Sequence, residues 1–265
     1  MSQFHAYDFV YDGVPSHAFD LKIITFDDGG LFGGVGSANV EILTQRVLRK
    51  SKPYYLGRTQ EPVLEFPFTF GTAHEVSGMD RDLISAWLFG RAGYKKLEIL
   101  QDDLNSAWFN CFMTEPEPQY IGGINYAFKC KVICDSPFAY SPTKTFTFGG
   151  NPSDYYVFDI YNSSSEDEYL YPNVSFTTDT GISSFTITNL DDNSRQFQFT
   201  GLTIPNETIT INNDLQIITT TESLRRLPKF NLNWLRLLPK LNRLTIQGSV
   251  ISGYISFNER VKIGG

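Results

Sequence analysis

Leu64, Phe66, Phe68 and Phe70 recur at every second position, so a strand here presents all four side chains to one face. Leu83, Ile84, Trp87 and Leu88 then fall on one helical stripe, with Asp80 placed as an N-cap and Gly90 and Gly93 as stop signals. This spacing predicts a short helix from about Arg81 to Phe89, in a chain that otherwise alternates like sheet. Trp87 reads as core packing over the aromatic face of the preceding strand, and Tyr94 to Leu100 as the next strand.

Upstream, Phe4 to Phe26 gives two short strand-like runs around the turn Asp12-Gly13-Val14-Pro15. Asp27 to Ala38 is a glycine-dense loop; its Gly34-Val35-Gly36 opens no helix and precedes no Lys-Ser/Thr, so it does not read as a phosphate cradle. From Asn39 to Tyr55, Val40, Ile42 and Val47 are mixed with Arg46, Arg49, Lys50 and Lys52, without a stop until Pro53. The pattern fits an extended, basic, partly exposed arm; a charge-protected edge strand is the plainer equivalent.

From Trp108 to Cys134 two strands flank Glu115-Pro116-Glu117-Pro118 and the turn Gly122-Gly123. Pro137 and Pro142 then end regular structure, which places a domain boundary near Thr143 and divides the chain into 1–142 and 143–265. Beyond it, short alternating runs come at turn-punctuated intervals: Phe146 and Phe148; Tyr156, Phe158 and Ile160; Val174 and Phe176; Phe185 and Ile187; Phe197 and Phe199; Ile209 and Ile211; Leu244 and Ile246. Seven such segments are the pattern of a β-sandwich.

Composition changes this picture in few places. The 22 Phe and 14 Tyr against 3 Met favour many half-buried strands. No stretch approaches the roughly 20 apolar residues of a membrane span, and the N-terminus lacks a basic region followed by an apolar one, so a soluble chain without membrane insertion is expected. The net charge of −7 argues against specific nucleic-acid binding. Cys111, Cys130 and Cys134 are too few for a disulfide framework and read as buried thiols; with His5, His17 and His74 scattered, neither a metal nor another cofactor is expected. Asp27-Asp28, Asp102-Asp103 and Asp191-Asp192 sit in turn contexts and do not form an acid–base pair, so no enzyme is expected.

Charge in the second half is segregated. Eight acids lie between Thr145 and Ser194 without a Lys or Arg, whereas Arg225, Arg226, Lys229, Arg236, Lys240 and Arg243 follow with only Glu222 among them. Together with Trp234, the residues Arg225, Arg226, Lys229, Arg236 and Lys240 are candidates for docking a partner; solvated loop faces are the plain alternative.

FVYDGVPSHAFDLKI, DLISAWLFGRAGYKKLEILQDD, YAFKCKVICDSPFAYSP and NWLRLLPKLNRLTIQGS together resemble the siphophage distal tail protein family, more specifically over the first 142 residues than beyond. In the late turn, Leu237-Leu238-Pro239-Lys240-Leu241-Asn242, Lys240 stands where the family usually has glycine.

The resemblance implies a tail-tube-like β-sandwich or split barrel with one short helix, followed by a sandwich similar to galectins and carbohydrate-binding modules. It implies a homo-hexameric ring that joins the tail tube protein to tail-associated lysin, fibre or receptor-binding proteins and lets DNA pass. Such a protein is made in the host cytoplasm and resides in the virion, at the tail tip. On this template the Gly29 to Tyr55 segment is the arm that supplies the subunit interface, with Leu31, Phe32, Val40, Ile42, Arg46, Arg49 and Lys50 as candidates. The alternative is a glycan-binding adhesin using Tyr155, Tyr161, Tyr169, Tyr171 and Trp234.

Overall fold

Period-two burial builds the first half. The computed structural model describes residues 8–25, 40–60, 63–100, 107–150 and 155–263. Its first strands are β1 (Asp8–Tyr11), β2 (Val14–Pro15), β3 (Lys22–Thr25), β4 (Val40–Gln45), β5 (Tyr54–Gln60) and β6 (Glu65–Gly71). Helix α1 (Gly78–Phe89) follows, then β7 (Lys95–Leu100), β8 (Trp108–Ile121), β9 (Ile124–Cys134) and β10 (Ala139–Tyr140). The main sheet runs β2-β1-β7-β8-β9-β6-β3, and it curls until β3 approaches β1, where Lys22 Nζ meets Asp8 Oδ1 at 2.8 Å. Phe66, Phe68 and Phe70 on β6 are buried, as are Phe9 and Tyr11 on β1 and Cys130, Val132 and Cys134 on β9. The three cysteines are free thiols.

Helix α1 covers this face. It starts three residues earlier than the spacing indicated: Ser77 is the N-cap, its Oγ accepting from Asp80 N at 3.1 Å, while Asp80 Oδ2 accepts from the Ser77 hydroxyl. Asp80 is therefore the third-position partner of a cap worth about 1 kcal/mol, not the cap itself. Ile84, Trp87 and Leu88 are buried, but Leu83 faces solvent. The Trp87 indole stacks on Phe9 (centroids 5.9 Å) and Phe19 (4.9 Å), and its Nε1 donates to Tyr11 O at 3.0 Å. At the helix exit a Cβ on Gly90 would sit 2.6 Å from Ala86 O, so glycine is a steric requirement there.

Glu115-Pro116-Glu117-Pro118 does not separate two strands. It lies within the single strand β8 as a bulge between Thr114, opposite Lys131, and Glu117, opposite Lys129, with Glu115 at φ 54°. Prolines cannot donate to a ladder, and the bulge absorbs that defect without ending the strand.

The second half contributes β11 (Lys144–Phe148), β12 (Tyr155–Asn162), β13 (Asn173–Thr178), β14 (Ser184–Asn189), β15 (Arg195–Thr200), β16 (Thr208–Asn212), β17 (Ile217–Thr220), β18 (Lys240–Gln247), β19 (Val250–Phe257) and β20 (Arg260–Val261). A five-stranded sheet, β11-β19-β13-β16-β17, and a four-stranded sheet, β12-β18-β14-β15, bury Phe176, Phe185, Phe199, Ile211, Leu244 and Ile246 in one core, with the Phe176 and Phe185 rings 3.9 Å apart. The chain forms two compact units, one ending at Ser141 but regaining the segment from Arg260, the other spanning Pro142–Glu259. The tail, assigned by its position in the sequence to the second domain, returns to the first: Val261 pairs with Ala139 and Arg260 with Tyr140.

Candidate assembly surfaces

Strands β4 and β5 form a two-stranded sheet of their own. The segment is thus the β4 limb and the basic tip of a hairpin rather than a single extended arm, with Tyr54–Gln60 as its return strand. Neighbouring residues on a strand point to opposite faces, yet Ile42 (64% exposed) and Leu43 (41%) are both solvent-facing, as are Tyr55 and Leu56. At the tip, Lys50 N donates to Val47 O at 3.1 Å, Lys50 Nζ bonds the Tyr54 hydroxyl, and Leu48 is 94% exposed. Ile42 therefore lies on the hairpin face and Arg46, Arg49 and Lys50 at its tip, all exposed. Val40 opens β4 opposite Gln60. Leu31 and Phe32 lie outside the described residues.

The β8 bulge borders a groove of about 600 Å³ whose charged lining is Glu65, Glu115, Glu117, Lys129 and Lys131, with Pro67 and Pro116 between them. Glu65 Oε2 accepts from Lys131 Nζ at 2.6 Å, which holds that ammonium above its ordinary range.

In the sandwich, the basic run does not form one docking face. Arg226 is buried and donates through Nε to Glu207 Oε1 at 2.7 Å, with a second bond from Nη2 to Glu207 Oε2; the Thr220 hydroxyl also donates to Glu207 Oε1. Arg236 donates to Asp192 through Nε (2.7 Å) and Nη2 (2.9 Å) and lies 4.0 Å from the Tyr169 ring centroid. Arg243 bonds Asp191. These bonds hold the carboxyls of Asp191 and Asp192 below their ordinary range. The adjacent acids thus diverge onto different arginines, and much of the charge segregation is satisfied within the unit. Trp234 is half-buried against Phe230 at 4.9 Å, while Arg225, Lys229 and Lys240 are exposed. Nothing in the charge run marked Arg226 as buried; its partner Glu207 lies outside the acidic stretch.

Of the tyrosines, Tyr155 and Tyr161 project with Val157 from β12, and Tyr169 and Tyr171 are about two-fifths exposed. Among the described residues no group of three or more His, Cys, Asp or Glu side chains is placed to hold a metal ion, and no helix is long and apolar enough to cross a membrane.

The described residues form two β-rich units, the first of which carries a hairpin with solvent-facing apolar side chains. The chain belongs to a phage tail protein family, whose models, described as phage tail protein N-terminal domain and phage tail C-terminal domain, match residues 4–136 and 138–257. No curated protein matches the sequence. Among solved structures, the Dit (gp 19.1) protein of phage SPP1, described as a paradigm of the hub adsorption apparatus in phages infecting Gram-positive bacteria, is similar with a TM-score of 0.69 at 12% identity, covering 96% of this chain and 98% of that one. A chain of the phage P2 baseplate in its activated conformation with calcium gives 0.55 at 11% identity, covering 92% and 91%. The strontium form gives 0.52 at 12%, covering 90% of each. The chain is therefore a phage tail structural protein with the fold of hub and baseplate proteins.

Proposed function

We propose that this protein is the ring-forming hub of a phage tail tip. Six copies close head to tail, each passing its β4–β5 hairpin to the next, and the ring joins the tail tube to the host-recognition proteins while DNA passes through. The role is structural rather than enzymatic and is exercised in the virion. The observation that carries this reading is the hairpin, because a two-stranded ribbon is marginal in water and this one exposes apolar side chains on both faces. The acidic excess of residues 1–142, 17 Asp and Glu against 12 Lys and Arg, suits a conduit that does not hold DNA.

Native mass spectrometry tests the proposal. The expected species has six times the 30.0 kDa chain mass, and deleting residues 40–60 leaves folded monomers. A wild-type monomer at tens of micromolar, or rings that survive the deletion, would overturn it. A second reading, host-glycan adhesion, draws on Tyr155 and Tyr161 on the solvent face of β12; binding on a glycan array that is lost in Tyr161→Ala would support it.

A further inference from the structure

We infer that Cys111 and Cys134 form a cross-strand disulfide when the first unit opens in the presence of a low-molecular-weight disulfide, and that the bond clamps β8 to β9. Register and burial carry this inference, so it stands independently of the hub reading. Cys111 lies directly opposite Cys134 in the β8–β9 ladder. Side chains directly opposite in an antiparallel pair project to the same face, and here both are buried, Cys111 at 0% and Cys134 at 1% exposure. Both thiols are free in the structure.

Two main-chain bonds fix the kind of pair they make. Asp135 N donates to Asn110 O at 2.9 Å, so the neighbouring pair is a hydrogen-bonded one, whereas Cys134 N turns away from β8 and donates to Leu64 O at 2.9 Å. Hydrogen-bonded and non-hydrogen-bonded pairs alternate, so Cys111 and Cys134 occupy the second kind, in which Cα atoms stand about 4.5 Å apart and side chains are closest. That separation lies within the roughly 4.4–6.8 Å that a disulfide spans. Cys130 is placed differently, opposite Phe68 on β6 and opposite the bulge on β8. Four residues of strand put it about 13 Å from Cys134, and as far from the residue facing Cys134. Of the three possible pairings, the register brings only Cys111 and Cys134 within reach.

In the exchange, one cysteine thiolate attacks a sulfur of the small disulfide and releases a small thiol. The second cysteine thiolate then attacks the protein sulfur of the mixed disulfide and displaces the other small thiol. Both cysteine protons end on the released thiols, and two electrons pass from the pair to the small disulfide. A mixed disulfide is too large for a packed core, so the exchange runs through opening of the unit. Burial pushes the Cys134 thiol up to about 12 and Cys111 higher still, which keeps the closed form unreactive. The same burial shields the bond from reductant once it is made. The closed loop, residues 112–133, carries the bulge and the Gly122-Gly123 turn, and restraining it in the unfolded chain stabilises the first unit.

The test uses the full chain, incubated with oxidised and reduced glutathione in urea just below the unfolding midpoint, where opening is frequent and the native register still directs pairing. Mass spectrometry then maps the links, since cleavage after Lys129 and Lys131 leaves the three cysteines on three peptides. The expected result is a Cys111–Cys134 link at least tenfold in excess of either link through Cys130, with one thiol remaining per chain. The first unit's urea midpoint should rise with the link and fall back when reductant is present during unfolding. Cys130→Ala is expected to link as wild type does, and Cys134→Ala to show neither link nor rise. The map of the wild-type chain decides the pairing even where a variant fails to fold. Three thiols retained after the incubation, links spread over all pairings, or a linked chain that unfolds at the same or lower urea would overturn the inference.

Discussion

Asn189 Nδ2 donates to Asn242 Oδ1 at 2.9 Å in the interior of the sandwich. The same Oδ1 accepts from Leu238 N at 2.8 Å, while Asn242 Nδ2 donates to the carbonyls of Leu238 (2.9 Å) and Lys240 (3.2 Å), so one fully buried amide closes the turn that enters β18. Asn242→Ala orphans several buried groups at once and is expected to destabilise the sandwich by about 3 kcal/mol, measured by urea unfolding.

Lys240, in the turn that this amide closes, sits at φ 74°. A side chain in the left-handed region costs roughly 1–2 kcal/mol, and glycine returns about half of that as chain entropy. Lys240→Gly is therefore expected to raise stability by about 0.5 kcal/mol, read as a small shift in the urea midpoint. A loss of stability would show that the lysine side chain contributes more than the strain it carries.

The sandwich should weaken in acid in a defined window. Hydrogen bonds from Arg243 and Arg236 lower Asp191 and Asp192 from the ordinary 3.8. Because folding lowers these pKa values, their stabilisation is complete above about pH 4 and is lost as pH falls through the folded values. An Asp191→Asn, Asp192→Asn variant is expected to be less stable than wild type at pH 7, with the gap closing toward pH 2 in parallel denaturation series.

Burial pushes the Cys130 and Cys134 thiols up to about 12 and Cys111 higher still. Thiolate is the reactive form, so a disulfide reagent at pH 8 should label none of the three in the native protein and all three in guanidinium. Fast labelling of the native protein would contradict their burial in the first unit's core.

Trp87 joins helix α1 to β1 through its stack on Phe9 and its hydrogen bond to Tyr11 O, and it stacks also on Phe19. Trp87→Ala removes a large buried side chain and is expected to cost about 4 kcal/mol, unfolding the first unit at lower denaturant than the second.

What was legible in the sequence follows from where burial is one-sided. β6 was plain because Leu64, Phe66, Phe68 and Phe70 all face one core. β19 was not, since its pairing with β13 is bulged at Thr177/Thr178 and Gly253 replaces a side chain that would strike the Phe148 ring at 2.2 Å. β5 escaped because a ribbon exposed on both faces has no core to impose alternation. The helix start was misplaced because both members of the Ser77/Asp80 pair are good caps in isolation. Arg226 was read as a docking residue because ion pairing between distant segments leaves no local signature, and Glu207 is nineteen positions away.

The return of β20 to the first unit gives the chain an evolutionary handle. Where the sandwich begins and ends, Thr143 Oγ1 bonds Asn258 Nδ2 at 3.0 Å and Lys144 Nζ bonds Glu259 at 2.7 Å, so entry and exit are stapled side by side. Genetically the sandwich is an insertion rather than an appendage. A chain truncated at residue 142 forfeits β20 from its own first unit, whereas recombination that replaces everything between 142 and 259 keeps both ends of that unit in register. Exchange of whole cassettes at this junction would replace the sandwich while leaving every strand of the first unit in place.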